Sequence, residues 1–346
     1  MKALSNLPIK LLKAKDNNLN RLIIISIAIF ILMAILNPGK FITMINFRSM
    51  SYSFPELGLL SLGLTICMIT GGIDLSIVGT ANLTSILAAK IMVEAMPANP
   101  SSATVALYIL LAVGVVFIVG IIAGLINGYL VSTFRIHPVL VTLGTWQALS
   151  GIAIIITKGY AIPNFPKPFL FVGNGLFLGF PMPLYIFLVF AIIVAVLLRK
   201  TQFGRSIYLI GTNVTAARFA GIRVRAMLMR TYISSAVLAS TAGLLMISRT
   251  NQAKADYGES YVLQAVLVNL LAGVNWNGGF GRVIGVAIAV VTLQLLSSGF
   301  NMLRFNNFAR NFTWGVFLIL IMIFNHLMNE RKNRLEADIV GAKSVG

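Results

Sequence analysis

Nine carboxylates serve the whole of this 346-residue chain: Asp16, Glu56, Asp74, Glu94, Asp256, Glu259, Glu330, Glu336 and Asp338. Only Glu56 and Asp74 fall close to the interior of long apolar runs. An acid in such a run can relay protons for a self-powered carrier, or it can satisfy backbone amides where one helix ends and another begins. Both acids stand near the ends of their runs, which weakens the proton-relay reading. The segment Met68 to Gly79, "MITGGIDLSIVG", makes the alternative explicit. Gly71 and Gly72 can take positive φ and end a helix. Asp74 can then N-cap the next one, its carboxylate facing the positive end of the helix dipole. On this reading Gly71, Gly72, Asp74 and Ser76 form a helix reversal, with Thr70 near the end of the first helix and Leu75 near the start of the second.

Other chemistry is sparse. The single cysteine, Cys67, supports neither a disulfide framework nor a metal site. His137 and His326 are far apart and form no ligand pair. No G-x-x-x-x-G-K-[ST], H-E-x-x-H or G-x-S-x-G pattern occurs, so the sequence points to no metal ligand set, to no catalytic residue and to no cofactor bound by this chain.

The elements that must position these residues follow from composition. The chain is 58% hydrophobic and 10% charged, against about 25% charged for a soluble domain. Such a chain is solvated by a bilayer, at about 20 apolar residues per span. Apolar runs lie at 22–36, 54–70, 75–93, 104–133, 139–157, 183–198, 231–248, 259–275, 283–300 and 312–328. The expectation is an all-α integral membrane fold of about ten transmembrane helices over residues 21–330. A cytoplasmic tail at 1–20 precedes it and a cytoplasmic tail at 331–346 follows it.

The net charge is +18, from 27 Lys+Arg against 9 Asp+Glu. No basic run is interleaved with stacking aromatics, so nucleic acid is not an expected partner. Membrane lipid is. With both termini in the cytoplasm, about eighteen basic residues fall on the inner side and about nine on the outer side, in the sense the positive-inside rule requires. The proline-rich stretch 158–182 is expected to be a non-helical outer loop. Residues 199–230 form the longest inner loop, which reads either as a topogenic linker or as a docking site for a cytoplasmic partner. Within that loop Asn213 can cap a short helix that Gly221 ends. Ala216, Ala217 and Ala220 are small, Phe219 is a knob and Arg218 supplies one charge. Gly120, Gly124 and Gly128 recur every four residues and let another helix approach closely. Polar residues inside runs are the candidate pathway residues: Thr65, Asn82, Asn127, Thr142, Gln147 and Gln294. Each is also a natural helix–helix hydrogen-bonding residue.

A polytopic chain without an energy source of its own must draw on a partner. Four segments give that inference a specific form. "GLTICMITGGIDLS" resembles the L-G-x-T-x-V-I-x-x-G-G-I-D-L-S-V-G signature of permease subunits of bacterial ATP-binding-cassette importers for monosaccharides, a family whose relatives include autoinducer-2 permeases. "GLINGYLVSTFRIHPVLVTLGTWQALSGIAIIITKG" is similar to its G-x-x-N-G-x-L-V and P-x-x-x-T-L-G-T blocks. "TQFGRSIYLIGTNVTAARFAGIRV" resembles T-x-F-G-R-x-I-Y-A-I-G-G-N-x-x-A-A-R-L-S-G-I, and "GGFGRVIG" its late glycine-rich element. The blocks occur in family order over roughly residues 50–330.

The resemblance implies a type II importer-like permease fold in the bacterial inner (plasma) membrane, carrying a sugar or sugar-like molecule. It further implies cytoplasmic ATPase subunits that use the ATP, a second permease chain, identical or not, and a periplasmic substrate-binding protein. The 199–230 loop then becomes the ATPase-coupling loop. Departures occur where the family reads Gly-Tyr-Glu-Leu-Asp-Ala and this chain reads "SYVLQA", with Val262 and Gln264 in place of acids, and at "LAGVNW" and Ile77-Val78-Gly79. They mark a divergent branch and leave the transported sugar open. The competing readings are a self-powered secondary carrier or channel for a small polar solute, and an integral-membrane enzyme, for which no polar catalytic cluster is visible.

Overall fold

The computed structural model describes residues 17–306 and 308–323. Most of the expected N-terminal tail, the whole C-terminal tail and His326 lie outside the described residues.

The described chain is helical throughout, with only paired two-residue strands beside the helices. The long helices are α1 (Asn17–Leu36), α2 (Met44–Ile69), α3 (Ile77–Ala89, extended by a π-helical turn over Lys90–Glu94), α4 (Ser102–Thr133) and α5 (Pro138–Thr157). After the proline-rich stretch come α7 (Met182–Lys200), α10 (Val224–Thr250) and α12 (Val283–Met302). All eight are long and apolar enough to cross a bilayer. Two shorter apolar helices, α11 (Ser260–Leu271) and α13 (Phe308–Ile323), bring the number of apolar helices to that of the runs in the sequence.

α2 and α10 form the centre. Their most apolar windows are 89% and 83% buried, against 17% for α1 and α5, which therefore form the rim. α10 packs on α2, α3 and α4, and α12 packs on α1 and α2. The glycine stripe makes the α4–α10 contact. A Cβ at Gly124 or Gly128 would lie 2.7 Å from main-chain atoms of Ile233, Tyr232 or Met229. Rim side chains such as Ile24, Ile31 and Ile35 on α1 and Ile154 and Ile155 on α5 are exposed, as expected where lipid is the solvent.

Three expectations change. The proline-rich stretch is not wholly irregular: Lys167–Asn174 forms a short helix, α6. Pro168 sits in its first turn, where a missing N–H costs nothing. The inner loop 199–230 is mostly helical, with α8 (Gln202–Thr212) and α9 (Val214–Phe219), and α10 begins at Val224. The second helix of the reversal starts at Ile77 rather than near Leu75, with Ser76 as its N-cap residue.

Small strands tie the proline-rich stretch down. β1 (Ile162–Pro163) pairs with β4 (Gln252–Ala253), which follows α10, and β2 (Leu176–Phe177) pairs with β3 (Phe180–Pro181). Ser248 Oγ donates to the Phe169 carbonyl at 2.7 Å, and Asn174 Nδ2 donates to the Ser248 carbonyl at 2.7 Å.

Candidate functional site

Two polar regions stand out in the apolar bundle, one at each end of α10. The first surrounds the Gly71–Ser76 reversal. α2 ends at Thr70, and Gly71 follows at φ +79. Gly71 N–H bonds to the Met68 carbonyl at 2.9 Å and Gly72 N–H to the Cys67 carbonyl at 3.2 Å, the paired bonds of a Schellman stop. Gly72 does not share the positive φ expected of it. Its glycine character serves close approach instead: a Cβ there would lie 2.7 Å from the Tyr232 hydroxyl.

Asp74 is 1% exposed. It is not the N-cap of α3. Its Oδ1 accepts from Ser76 N at 3.0 Å and Ser76 Oγ at 2.6 Å, and its Oδ2 accepts from Ser235 Oγ on α10 at 2.8 Å. Asn127 Nδ2 on α4 then donates to Ser76 Oγ at 2.7 Å. The carboxylate thus holds its own turn in shape and pins it to α10, with α4 one bond further on. Burial raises the Asp74 carboxyl above the ordinary carboxylate range, and the bonds from Ser76 and Ser235 oppose that rise. A neutral amide should therefore be tolerated here. Asp74→Asn keeps an oxygen for Ser76 and an N–H for Ser235. It is expected to lower stability by about 1 kcal/mol and to leave transport near normal, whereas Asp74→Ala costs about 3 kcal/mol. Transport by the reconstituted importer, together with the unfolding midpoint of each variant, checks both. A well-folded but inactive Asp74→Asn protein would assign the charge a direct role.

Three glycine-bearing segments from distant parts of the sequence meet beside this turn. Gly211 at the end of α8 packs against the end of α2 and against the α11–α12 connection. A Cβ on Gly211 would collide with the Ile69 carbonyl oxygen and the Gly279 amide. Gly279 N–H bonds to that same Ile69 carbonyl at 2.8 Å. A Cβ on Gly278 would lie 2.7 Å from Gly71 N and 2.9 Å from Gly211 Cα. Tyr208 on α8 donates to the Gly281 carbonyl at 2.5 Å. The segments that hold the reversal, the loop helices and "GGFG" are therefore in main-chain contact.

α9 projects from this junction. Asn213 is its N-cap, with Oδ1 accepting from Ala216 N at 3.0 Å. Gly221 stands just past its end at φ +77, where Ile222 N–H bonds to the Ala217 carbonyl and Gly221 N–H to the Arg218 carbonyl, both at 3.0 Å. Ala217 is buried, Ala216 and Arg218 are exposed, and Phe219 is 89% exposed. A bare aromatic on a doubly capped helix has the character of an anchor for something outside the chain.

The second region, at the opposite end of α10, is a cavity of about 530 Å³ between α2, α11, α12 and α13. Ser53, Gln264, Gln294, Ser297, Asn301 and Asn311 line it with amides and hydroxyls, beside the charged Arg249, Asp256, Glu259 and Arg310. Arg249 in its wall forms an ion pair with Glu56 behind it. Glu56 on α2 is fully buried, and its Oε1 accepts from Arg249 Nε at 2.5 Å while Oε2 accepts from Arg249 Nη2 at 3.1 Å. Arg249 also donates to the Tyr257 hydroxyl at 2.8 Å, and Tyr261 donates to Glu56 Oε2 at 3.4 Å. Burial first, then the Glu56 charge, pushes the Tyr257 phenol up to about 12, so it stays a neutral hydroxyl. Sequence reasoning noted Glu56 as an acid close to a span interior but missed its partner and the cavity.

The candidate pathway residues divide accordingly. Gln294 lines the cavity. Thr65 donates to Asn269 Oδ1 at 2.6 Å, Asn82 to the Ala255 carbonyl at 2.8 Å and Thr142 to the Ile73 carbonyl at 3.1 Å. With Asn127 these are buried bonds between elements. Gln147 is exposed on α5, away from the cavity. Among the described residues no cluster of His, Cys, Asp and Glu could hold a metal ion.

Residues 46–325 match the family model described as branched-chain amino acid transport system / permease component. Among curated proteins the chain is 31% identical to the ribose import permease protein RbsC of Bacillus subtilis, over 85% of this chain and 88% of that protein. It is 30% identical to the autoinducer 2 import system permease protein LsrD of Yersinia enterocolitica, over 77% and 79%. It is 29% identical to the probable ABC transporter permease protein y4mJ of Sinorhizobium fredii, over 83% of each chain. No solved structure matches the chain.

Proposed function

Because the chain belongs to the family of branched-chain amino acid transport system permease components, we propose that it forms the membrane pathway of an ATP-binding-cassette importer whose cargo is a sugar or sugar-like small molecule. The carrying observation is the junction at the α8–α9 end: the reversal, the coupling segment and the glycine-rich connection meet there in main-chain contact, beside a capped helix that presents Phe219.

The fold is an all-α, multi-pass membrane fold of the permease type. The α8–α9 end faces the cytoplasm on this reading. Among the described residues it carries Arg135, Arg199, Lys200, Arg205, Arg218, Arg223, Arg225, Arg230 and Arg282, while the one acid described there, Asp74, is buried. Separate ATPase subunits dock on α9 and supply the energy, a reading supported by the absence of a G-x-x-x-x-G-K-[ST] pattern from the sequence. Their closure moves α9. The junction passes that movement to α2 and to the α11–α12 connection, because contacts between main chains have no side-chain freedom to absorb it.

The cavity at the periplasmic end receives cargo released by a binding protein. Its lining suits a hydroxylated molecule without net charge: Arg249 is paired with Glu56, Asp256 pairs with Lys254 at 2.8 Å, and the remaining charged lining residues, Glu259 and Arg310, are one of each sign. The named cargoes of the ribose and autoinducer-2 relatives support this class of substrate. A second copy of this chain or a related permease completes the pathway.

In the reconstituted importer, Phe219→Ala combined with Arg218→Ala is expected to cut substrate-stimulated ATP hydrolysis at least tenfold, on the order of the loss of a central aromatic anchor. Hydrolysis at the unmodified rate in a folded double variant would remove α9 from the coupling role. Transport that depends on a proton gradient and survives loss of the ATPase would favour a secondary carrier.

A further inference from the structure

The structure assigns a second contact to the docking face: we propose that a small cavity between the reversal and α9 receives a carboxylate side chain of the ATPase subunit, held by Arg135, Arg218 and Tyr232. The proposal rests on the docking of an ATPase at α9.

The cavity has a volume of about 140 Å³ and is walled by Gly71, Gly72, Ser132, Arg135, Arg218 and Tyr232. About 10–15 Å³ of such space admits one water, so the cavity has ample room for an Asp or Glu side chain. Its inner wall carries hydrogen-bonding groups with nothing to bond. Tyr232 is 0% exposed, and its hydroxyl has no partner among the described residues. That hydroxyl faces the reversal, as its clash with a Cβ on Gly72 shows. Ser132 Oγ is likewise buried without a partner. Orphaned buried hydroxyls are uncommon, and two of them belong to residues of this one cavity.

The rim carries the charge. Arg135, in the connection between α4 and α5, and Arg218 on α9 are both exposed and form no ion pair among the described residues. The sequence has no acid between Glu94 and Asp256, so α4 to α10 can supply no counter-charge. Asp74 is buried and saturated by Ser76 and Ser235. Among the described residues no acid on this face is free to fill the cavity, and the groups around it suit an anionic hydrogen-bond acceptor brought by a partner. Because Val214 and Arg218 of α9 form part of the wall, a protein that seats on α9 reaches the cavity with one side chain. The contact ties the ATPase to the Gly71–Ser76 turn as well as to α9.

The test titrates the ATPase onto the full-length chain in lipid nanodiscs. Arg135→Gln is expected to weaken capture about tenfold or more, the scale for truncating one side of a desolvated charge pair. Tyr232→Phe is expected to weaken it several-fold while leaving the unfolding midpoint of the isolated chain unchanged or higher, since the lost hydroxyl is unpartnered there. The two effects should combine to less than their product, because both address one carboxylate. One Asp→Asn or Glu→Gln change on the ATPase should reproduce the Arg135→Gln loss and add nothing to it. Undiminished capture by both folded variants would overturn the proposal. So would inorganic phosphate that raises the unfolding midpoint of the isolated wild-type chain but not that of Arg135→Gln, which would make the cavity a free oxyanion site. If the wild-type chain captures no ATPase at all, the docking of an ATPase at α9 fails instead.

Discussion

Arg249→Ala lowers the stability of the protein by about 3 to 5 kcal/mol, the scale for stripping a buried charge of its partner. The variant leaves Glu56 at 0% exposure with only a 3.4 Å bond from Tyr261. The expected readouts are a large drop in unfolding midpoint and loss of transport. Glu56→Gln is milder, because Arg249 is 24% exposed and can turn to water. Replacing both residues, as Glu56→Met with Arg249→Met, removes the charge problem and restores most of the stability, but it takes the paired Arg249 out of the cavity wall. Stability should therefore return in the double variant while transport does not. Recovery of transport along with stability would show that the pair serves the fold alone. Arg249→Lys tests the geometry: an ammonium cannot reproduce the two-pronged contact with both carboxylate oxygens.

The second large effect belongs to Gly211→Ala. One methyl group there meets the Ile69 carbonyl oxygen and the Gly279 amide, and neither is a side chain that can swing away. Overpacking of this kind costs about 1 to 3 kcal/mol, and parting the Gly279–Ile69 bond adds about 1 kcal/mol. A total of about 3 kcal/mol is expected, read from the unfolding midpoint, with ATP hydrolysis uncoupled from substrate in whatever folds. Gly114→Ala is the control. It lies within α4 with open space around its Cβ position, so alanine should be neutral or stabilising by roughly 0.5 to 1 kcal/mol. Equal behaviour of the two variants would mean that the junction tolerates a spacer and is not a close main-chain contact.

Local features of this protein are legible in its sequence. Asn213 and Gly221 bracket α9 as capping chemistry requires, and the Gly120-Gly124-Gly128 spacing marks the face of α4 that α10 covers. Apolar runs locate the helices, although α2 begins ten residues before its run, since Ser49, Ser51 and Ser53 hide an exposed helical turn. What the sequence does not carry is the choice of distant partner. Glu56 and Arg249 are 193 residues apart, and Asp74 and Ser235 are 161 apart. No periodicity links them, because each pairing depends on how α2 and α10 cross. The same holds for Gly211. Its own neighbours suggest only a small residue near a helix end, and its role comes from two other segments that approach it. α6 was obscured for the opposite reason: its prolines read as breakers, yet in a first turn they are permissive.

α10 has a consequence for how the two faces of the membrane communicate. Its 27 residues make a rod of about 40 Å. One end begins three residues after Gly221, beside α9. The other is fastened to the proline-rich stretch through Ser248, Asn174 and the β1–β4 pairing. A ligand that biases the position of either end does thermodynamic work at the other, and the free energy of that coupling is the same in both directions. On the proposed reading, whatever a binding protein that delivers cargo at the proline-rich end does to nucleotide affinity at the ATPase, nucleotide must do to the affinity of that binding protein. Measuring either binding constant with and without the other ligand then determines one number that belongs to α10 as much as to either site.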